Sequence, residues 1–308
     1  MQQPPRSDLE LREMFWVPAD LPHYADHPQE AGEKFYGFII RGFRRLMRLQ
    51  RLELVVDGVE RVPATGGAVL AINHTGYFDF VYAGIAAHLR GHRLMRFMAK
   101  QEIFRVRGLG RIMNAMGHIP VDRAAGAGAL DTAVREVSQG KLLGIFPEGT
   151  ISRSLEVARD LRTGAVRIAH DAKVPLIPIA VWGSQRVWSK EKPRNLGRSK
   201  LPVWIRVGAP LVTTGDPVAD TAVLRTAMVD LVAELRDEYE HTYGPFPGGE
   251  PWRPAALGGS APTLDEAEAI AAQERAARQA KKQKQIAQAA ASAEKGEPKK
   301  AWWAKLKR

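Results

Sequence analysis

The sequence predicts an α/β fold: a mostly parallel twisted sheet flanked by helices, preceded by an N-terminal amphipathic helical motif and followed by a basic helical or disordered tail. Three observations carry that expectation. Short apolar runs alternate with segments of helical period between Leu52 and Glu240, which is the order that builds parallel sheets. Two of the apolar runs stop abruptly at polar, turn-forming residues, one at His74 and one at Pro147-Glu148. Composition also changes at both ends, before Glu30 and after Tyr243.

Residues 1–29 are proline-rich without clear periodicity and are expected to form an irregular arm. In 30–51, Phe35, Phe38, Ile39, Leu46 and Leu49 recur near helical spacing among Arg41, Arg44, Arg45 and Arg48. Such a helix suits the headgroup boundary of a bilayer, and it equally suits packing against the body of the protein. The main domain spans 52–243. Strands are predicted at 52–56, 68–73, 96–99, 118–121, 142–146, 176–182 and 203–207 from their apolar, β-branched content. Helices are predicted between them at 80–89, 109–116, 129–139 and 163–171, with a long amphipathic one at 221–240. Beyond Tyr243, GPFPGGEPWRP and LGGSAPT have linker chemistry. Residues 264–293 should form an exposed helix, and the end of the 244–308 tail places Trp302, Trp303 and Leu306 among lysines. Adjacent indoles flanked by cations favour a membrane interface.

Cysteine is absent, which excludes disulfides, thiolate nucleophiles and cysteine-based zinc sites. Lys and Arg number 45 against 34 Asp and Glu, a formal charge of +11 that favours anionic partners. The first residues lack the basic-then-apolar pattern of a signal peptide. No run reaches the roughly 18 apolar residues of a membrane-spanning helix. The expected location is therefore peripheral, on the cytoplasmic face of the cell membrane.

The chemistry-bearing segment is Asn73-His74-Thr75-Gly76-Tyr77-Phe78-Asp79. Five residues is a poor helical spacing, so His74 and Asp79 meet only if the chain turns after the strand and Asp79 opens the next helix. A carboxylate could then hold Nδ1 and leave Nε2 free to accept a proton. In Phe146-Pro147-Glu148-Gly149-Thr150, a second strand ends in a sharp turn. Both ends could share the carboxyl edge where α/β sheets gather their ligands.

Together with GHIPVDR (117–123) and VPLIPIA (174–180), these segments resemble the four ordered blocks of the glycerolipid acyltransferases. The bacterial 1-acylglycerol-3-phosphate acyltransferases are nearest in pattern. The resemblance implies that His74 is the general base and that Asp79 orients it. It also implies that Glu148, Gly149 and Thr150 shape the acceptor site, that Arg123 binds the acceptor phosphate, and that Lys100 lies near the point of transfer. Two positions depart from the pattern: Ile151 stands where an arginine is common, with Arg153 two residues later, and Arg162 replaces a lysine. Both changes fall on expected phosphate contacts. No metal or cofactor is implied; acyl-CoA or acyl carrier protein would serve as co-substrate, and a lysophospholipid as acceptor. Glycerol-3-phosphate, another lysophospholipid and a glycolipid hydroxyl are the alternative acceptors.

Rival functions fare worse. The Gly-x-Ser-x-Gly elbow of serine hydrolases and the His-Glu-x-x-His of zinc hydrolases are both missing. A basic nucleic-acid-binding protein would explain the charge but not the blocks at 73–79 and 146–150, and no nucleic-acid partner is expected.

Overall fold

The structure is a computed structural model that describes residues 3–122 and 127–294. The chain forms two compact units, Met1–Ala261 and Pro262–Arg308. Strands of the first are β1 (Leu9–Arg12), β2 (Phe15–Pro18), β3 (Glu53–Asp57), β4 (Ala68–Ile72), β5 (Met95–Lys100), β6 (Ile119–Val121), β7 (Leu142–Ile145), β8 (Leu176–Trp182) and β9 (Pro202–Val207). Its α-helices are α1 (Lys34–Gln50), α2 (Asp79–Leu89), α3 (Gln101–Arg105), α4 (Leu109–Ala115), α5 (Ala127–Ser138), α6 (Gly164–Ala172), α7 (Ser184–Val187) and α8 (Pro217–Tyr243).

The strands lie in the order β1-β2-β3-β9-β8-β4-β7-β5-β6, so the mixed α/β architecture with a mostly parallel sheet is the one observed. Among the described strands, only β1–β2 and β8–β9 pair antiparallel with each other. The β8–β9 step divides the sheet into two blocks. In one, β8, β4, β7, β5 and β6 all run in the same direction. Their carboxyl ends therefore share one edge.

Strand β4 illustrates why the central runs are apolar throughout. Ala68, Leu70 and Ile72 face one apolar layer while Val69 and Ala71 face the other, and all are fully buried. A strand covered on both faces has no solvent side to carry polar residues. Tyr82, Ala83, Ile85 and Ala86 of α2, with Met47 of α1, cover the first face. Val137 of α5, Val166 of α6 and Leu235 of α8 cover the second. Helix α8 begins one turn earlier than its periodicity suggests, because Asp216 caps it by accepting the amides of Val218 and Ala219, with Pro217 in the first turn.

Two boundaries drawn from composition are corrected. Residues 1–29 are not wholly irregular, since β1 and β2 form a hairpin within them. Strand β2 pairs in parallel with β3, aligning Phe15 with Leu54, and buries Phe15 and Val17 in the core. Four-residue strands are too short to establish a period, and their partner lies some forty residues away. Likewise 244–261 is no linker. Arg253 grips both carboxylate oxygens of Glu240 at 3.0 and 2.7 Å, and Trp252 is buried edge-on to Phe246 at 4.7 Å. The glycines and prolines there turn the chain back onto α8 instead of releasing it.

Helix α1 divides its apolar residues between two environments. Ile39, Ile40, Phe43 and Met47 pack on the body, whereas Phe35, Phe38 and Leu49 are 44%, 63% and 64% exposed. In the second unit the described residues form α9 (Leu264–Glu294). It opens with a reciprocal cap: the Glu266 carboxylate accepts the Thr263 amide at 2.8 Å, and Thr263 Oγ1 accepts the Glu266 amide at 3.3 Å. The tryptophan-lysine end, with Trp302, Trp303 and Leu306, lies outside the described residues. Among the described residues, no helix is long and apolar enough to cross a membrane.

Candidate active site

Register brings the motif residues together. Ala71 of β4 lies opposite Ile145 of β7, and Phe97 of β5 lies opposite Gly144. His74, Glu148 and Lys100, each three residues further along its chain segment, therefore emerge at one edge of the sheet. Asn73 secures the end of β4: its side chain donates to Val181 O at 3.1 Å and accepts from Val181 N at 2.7 Å, like one more rung of the sheet.

After His74 the chain turns through Thr75 and Gly76, and Asp79 starts α2. This turn closes the five-residue gap: His74 Nδ1 lies 3.0 Å from Asp79 Oδ2. The same oxygen accepts the amides of Thr75 at 2.7 Å and Gly76 at 2.8 Å. The second oxygen, Oδ1, accepts the Ser184 hydroxyl at 2.5 Å. Asp79 is fully buried, with every polar contact supplied by a donor. An acceptor-only carboxylate makes Nδ1 the protonated ring nitrogen and leaves the Nε2 lone pair available. The imidazole is held on its face as well, stacked on Phe146 at 4.1 Å with its side chain 19% exposed.

Glu148 serves this geometry from below. Its carboxyl oxygens accept the His74 amide at 2.8 Å and the Ala158 amide at 3.2 Å, and Ser152 N donates to His74 O at 2.7 Å. Both backbone polar groups of His74 are thus tied to the loop after β7. Burial pushes the Glu148 carboxyl up to about 8, and the neighbouring Asp79 charge adds to the rise against the lowering effect of the two amide bonds. Glu148 thus supports the backbone of His74.

The expected substrate contacts separate. Gly149 has φ +69, and the Arg162 side chain crosses it so closely that a Cβ there would lie 2.4 Å from Nε. Arg162 and Thr150 are exposed at this edge. Arg153 instead turns inward: its side chain is 6% exposed and its guanidinium bonds both Glu191 oxygens at 3.0 and 2.7 Å. Ile151, where an arginine is common in the pattern, is buried. Lys100 is exposed at the end of β5. Arg123 lies outside the described residues.

Beside the dyad, an apolar cavity opens between α1, α2 and β5, of about 590 Å³ counting its mouth. Phe43, Val81, Gly84, Ile85, Phe97 and Met116 line it. Phe97 stacks on Phe146 at 6.1 Å, so a single ring separates the cavity wall from His74.

Comparison with known proteins identifies the family. A family model described as Acyltransferase matches residues 53–182. The 1-acyl-sn-glycerol-3-phosphate acyltransferase of Bacillus subtilis is 34% identical over 149 residues, which cover 48% of this chain and 71% of that protein. The chain belongs to the glycerolipid acyltransferases. The protein named 1-acyl-sn-glycerol-3-phosphate acyltransferase in Borreliella burgdorferi is 25% identical over 165 residues, 52% of this chain and 62% of the relative. The crystal structure of the 1-acyl-sn-glycerophosphate acyltransferase PlsC from Thermotoga maritima shares the fold, with a TM-score of 0.50 at 19% identity. It covers 69% of this chain and 91% of that one.

For this acyltransferase, sequence reasoning missed Ser184. It follows β8 at the start of α7 and is 1% exposed. It sits so close to Gly76 that a Cβ there would come within 2.9 Å of its Oγ. The glycine in the motif turn thus makes room for the hydroxyl that holds Asp79. A hydrogen bond to a charged group is worth about 1.5–3 kcal/mol, so Ser184→Ala is expected to lower kcat roughly tenfold or more. Initial-rate measurements should find KM unchanged, and an unaltered kcat would remove Ser184 from the positioning set.

Proposed function

We propose that the protein moves a fatty acyl chain from acyl-CoA or acyl carrier protein to the free hydroxyl of 1-acylglycerol-3-phosphate, giving phosphatidic acid, with His74 as general base. The observation that carries this reading is the buried Asp79 carboxylate pinning Nδ1 of His74 beside an apolar cavity.

A lipid hydroxyl is a weak nucleophile at neutral pH, and Nε2 accepts its proton as the oxygen attacks the thioester carbonyl. The new C–O bond gives a tetrahedral oxyanion, and its collapse breaks the C–S bond. The imidazolium returns the proton to the departing thiolate, so His74 ends as it began. Asp79 stabilises the transient imidazolium. The thioester is already activated, and the sequence of steps requires no acyl-enzyme. The mostly apolar lining of the cavity suits a fatty acyl chain.

Acceptor recognition falls to arginine side chains. With Arg153 engaged by Glu191, Arg162 over Gly149 takes the phosphate together with Arg123. Losing one charge-assisted bond costs about 1.5–3 kcal/mol, so Arg162→Ala and Arg123→Ala are each expected to raise acceptor KM about tenfold or more. Donor KM should stay constant in steady-state assays; equal rises for donor and acceptor would remove the phosphate role. Exposed Phe35, Phe38 and Leu49 beside Arg41, Arg45 and Arg48 on α1 support docking on an anionic membrane surface, where the acceptor resides.

The deciding experiment is thiol release from palmitoyl-CoA with lysophosphatidate or glycerol-3-phosphate as acceptor. Transfer to lysophosphatidate supports the proposal. Exclusive use of glycerol-3-phosphate, or of another lipid hydroxyl, would overturn the acceptor while leaving the chemistry of His74 intact.

A further inference from the structure

At the far end of α2 from Asp79, three side chains from separate parts of the chain converge. Glu13 comes from the turn between β1 and β2, His88 from the last turn of α2, and His92 from just beyond it. One ligand atom from each lies within 4.8 Å of the others. His88 Nε2 is 3.7 Å from Glu13 Oε2, and the His88 and His92 rings meet edge to face at 4.6 Å.

What now lies among them is a cation. The Arg44 guanidinium bonds the Glu13 carboxylate and approaches His88 Nε2 at 3.3 Å. Arginine only donates, so His88 directs the lone pair of Nε2 at this point, alongside the carboxylate. His92 Nδ1 lies 2.6 Å from Asp26 Oδ1, which leaves Nε2 as its lone-pair nitrogen. A carboxylate behind a ligating imidazole is the usual outer support of a metal-bound histidine. Glu13 and His92 also have φ of 59° and 55°, a left-handed conformation uncommon for residues with a Cβ and frequent at ligand clamps.

We propose that Glu13, His88 and His92 form a zinc site that ties the β1–β2 hairpin to the end of α2, with Arg44 as the displaceable cation of the metal-free form. Two imidazoles and one carboxylate are a common zinc donor set, and a solvent molecule would complete the tetrahedron. Bonds of about 2.0–2.1 Å place tetrahedral ligand atoms roughly 3.3 Å apart, so the side chains need to close by about 1.5 Å at most. His88, Arg44 and Phe15 also line the apolar cavity. Zinc there would brace the end of the cavity away from His74.

The test is titration of metal-free full-length protein with zinc against a chromophoric chelator, paired with thermal melts. Wild type should bind one equivalent and melt several degrees higher with zinc. His92→Ala, at a largely exposed side chain, should weaken binding at least tenfold and abolish the rise in Tm. Arg44→Gln removes the competing cation and should tighten binding, while His23→Ala, outside the cluster, should bind as wild type does. Absence of stoichiometric binding to wild type would overturn the proposal. So would equal binding by His92→Ala, or weaker binding by Arg44→Gln in a protein that melts normally.

Discussion

His74→Ala is expected to reduce kcat/KM for acyl transfer by about 10³–10⁴-fold, the upper range of what a positioned general base supplies. The size of the effect follows from what remains. Without the imidazole, the acceptor hydroxyl must lose its proton to water, and the departing thiolate has no acid beside it. The variant should nonetheless fold. Asp79 keeps the amides of Thr75 and Gly76 and the Ser184 hydroxyl, so its buried carboxylate is still satisfied. Glu148 and Ser152 bond the backbone at position 74, which alanine retains. Thiol-release kinetics beside a thermal melt check both halves. Activity within tenfold of wild type, in a protein with unchanged Tm, would remove His74 from the role of base.

The geometry that supports this expectation was only partly legible in the sequence. His74 and Asp79 are five residues apart, so one local turn brings them together, and the apolar run before His74 announces that turn. Glu148 was legible as a residue at a strand end, but its task was not. Which backbone amide it accepts depends on the β4–β7 register, and register is settled by packing on both faces of the sheet. Ser184 left no signal, because its partner Asp79 is 105 positions away and serines are common after strands. The partner of Arg153 was hidden for the same reason. From the sequence it is a cation near the motif; in the fold Glu191 captures it. The hairpin in 1–29 and the packed turn at 244–261 failed on length and composition, since short strands and Gly-Pro segments look like loops until a partner is known.

Asp79→Asn is expected to be the next most damaging conservative change, lowering kcat about 10²–10³-fold with little effect on KM or Tm. The surrounding donors decide how the new amide sits. Thr75 N, Gly76 N and His74 Nδ1 all point at Oδ2, so the asparagine oxygen must take that place. Its NH₂ then faces Ser184 Oγ, which rotates from donor to acceptor. His74 therefore keeps its tautomer, and the variant loses charge without losing geometry. Two unit charges at about 4 Å and an effective dielectric near 20 interact by about 4 kcal/mol, which bounds the loss at roughly 10³-fold. Asp79→Ala differs: it strands two buried amides and a hydroxyl, each costing about 1–3 kcal/mol, and should lower Tm as well as rate. Comparing the two variants separates charge from scaffolding. Near-wild-type turnover by Asp79→Asn would mean that His74 needs the hydrogen bond alone, and the electrostatic part of the mechanism would fall.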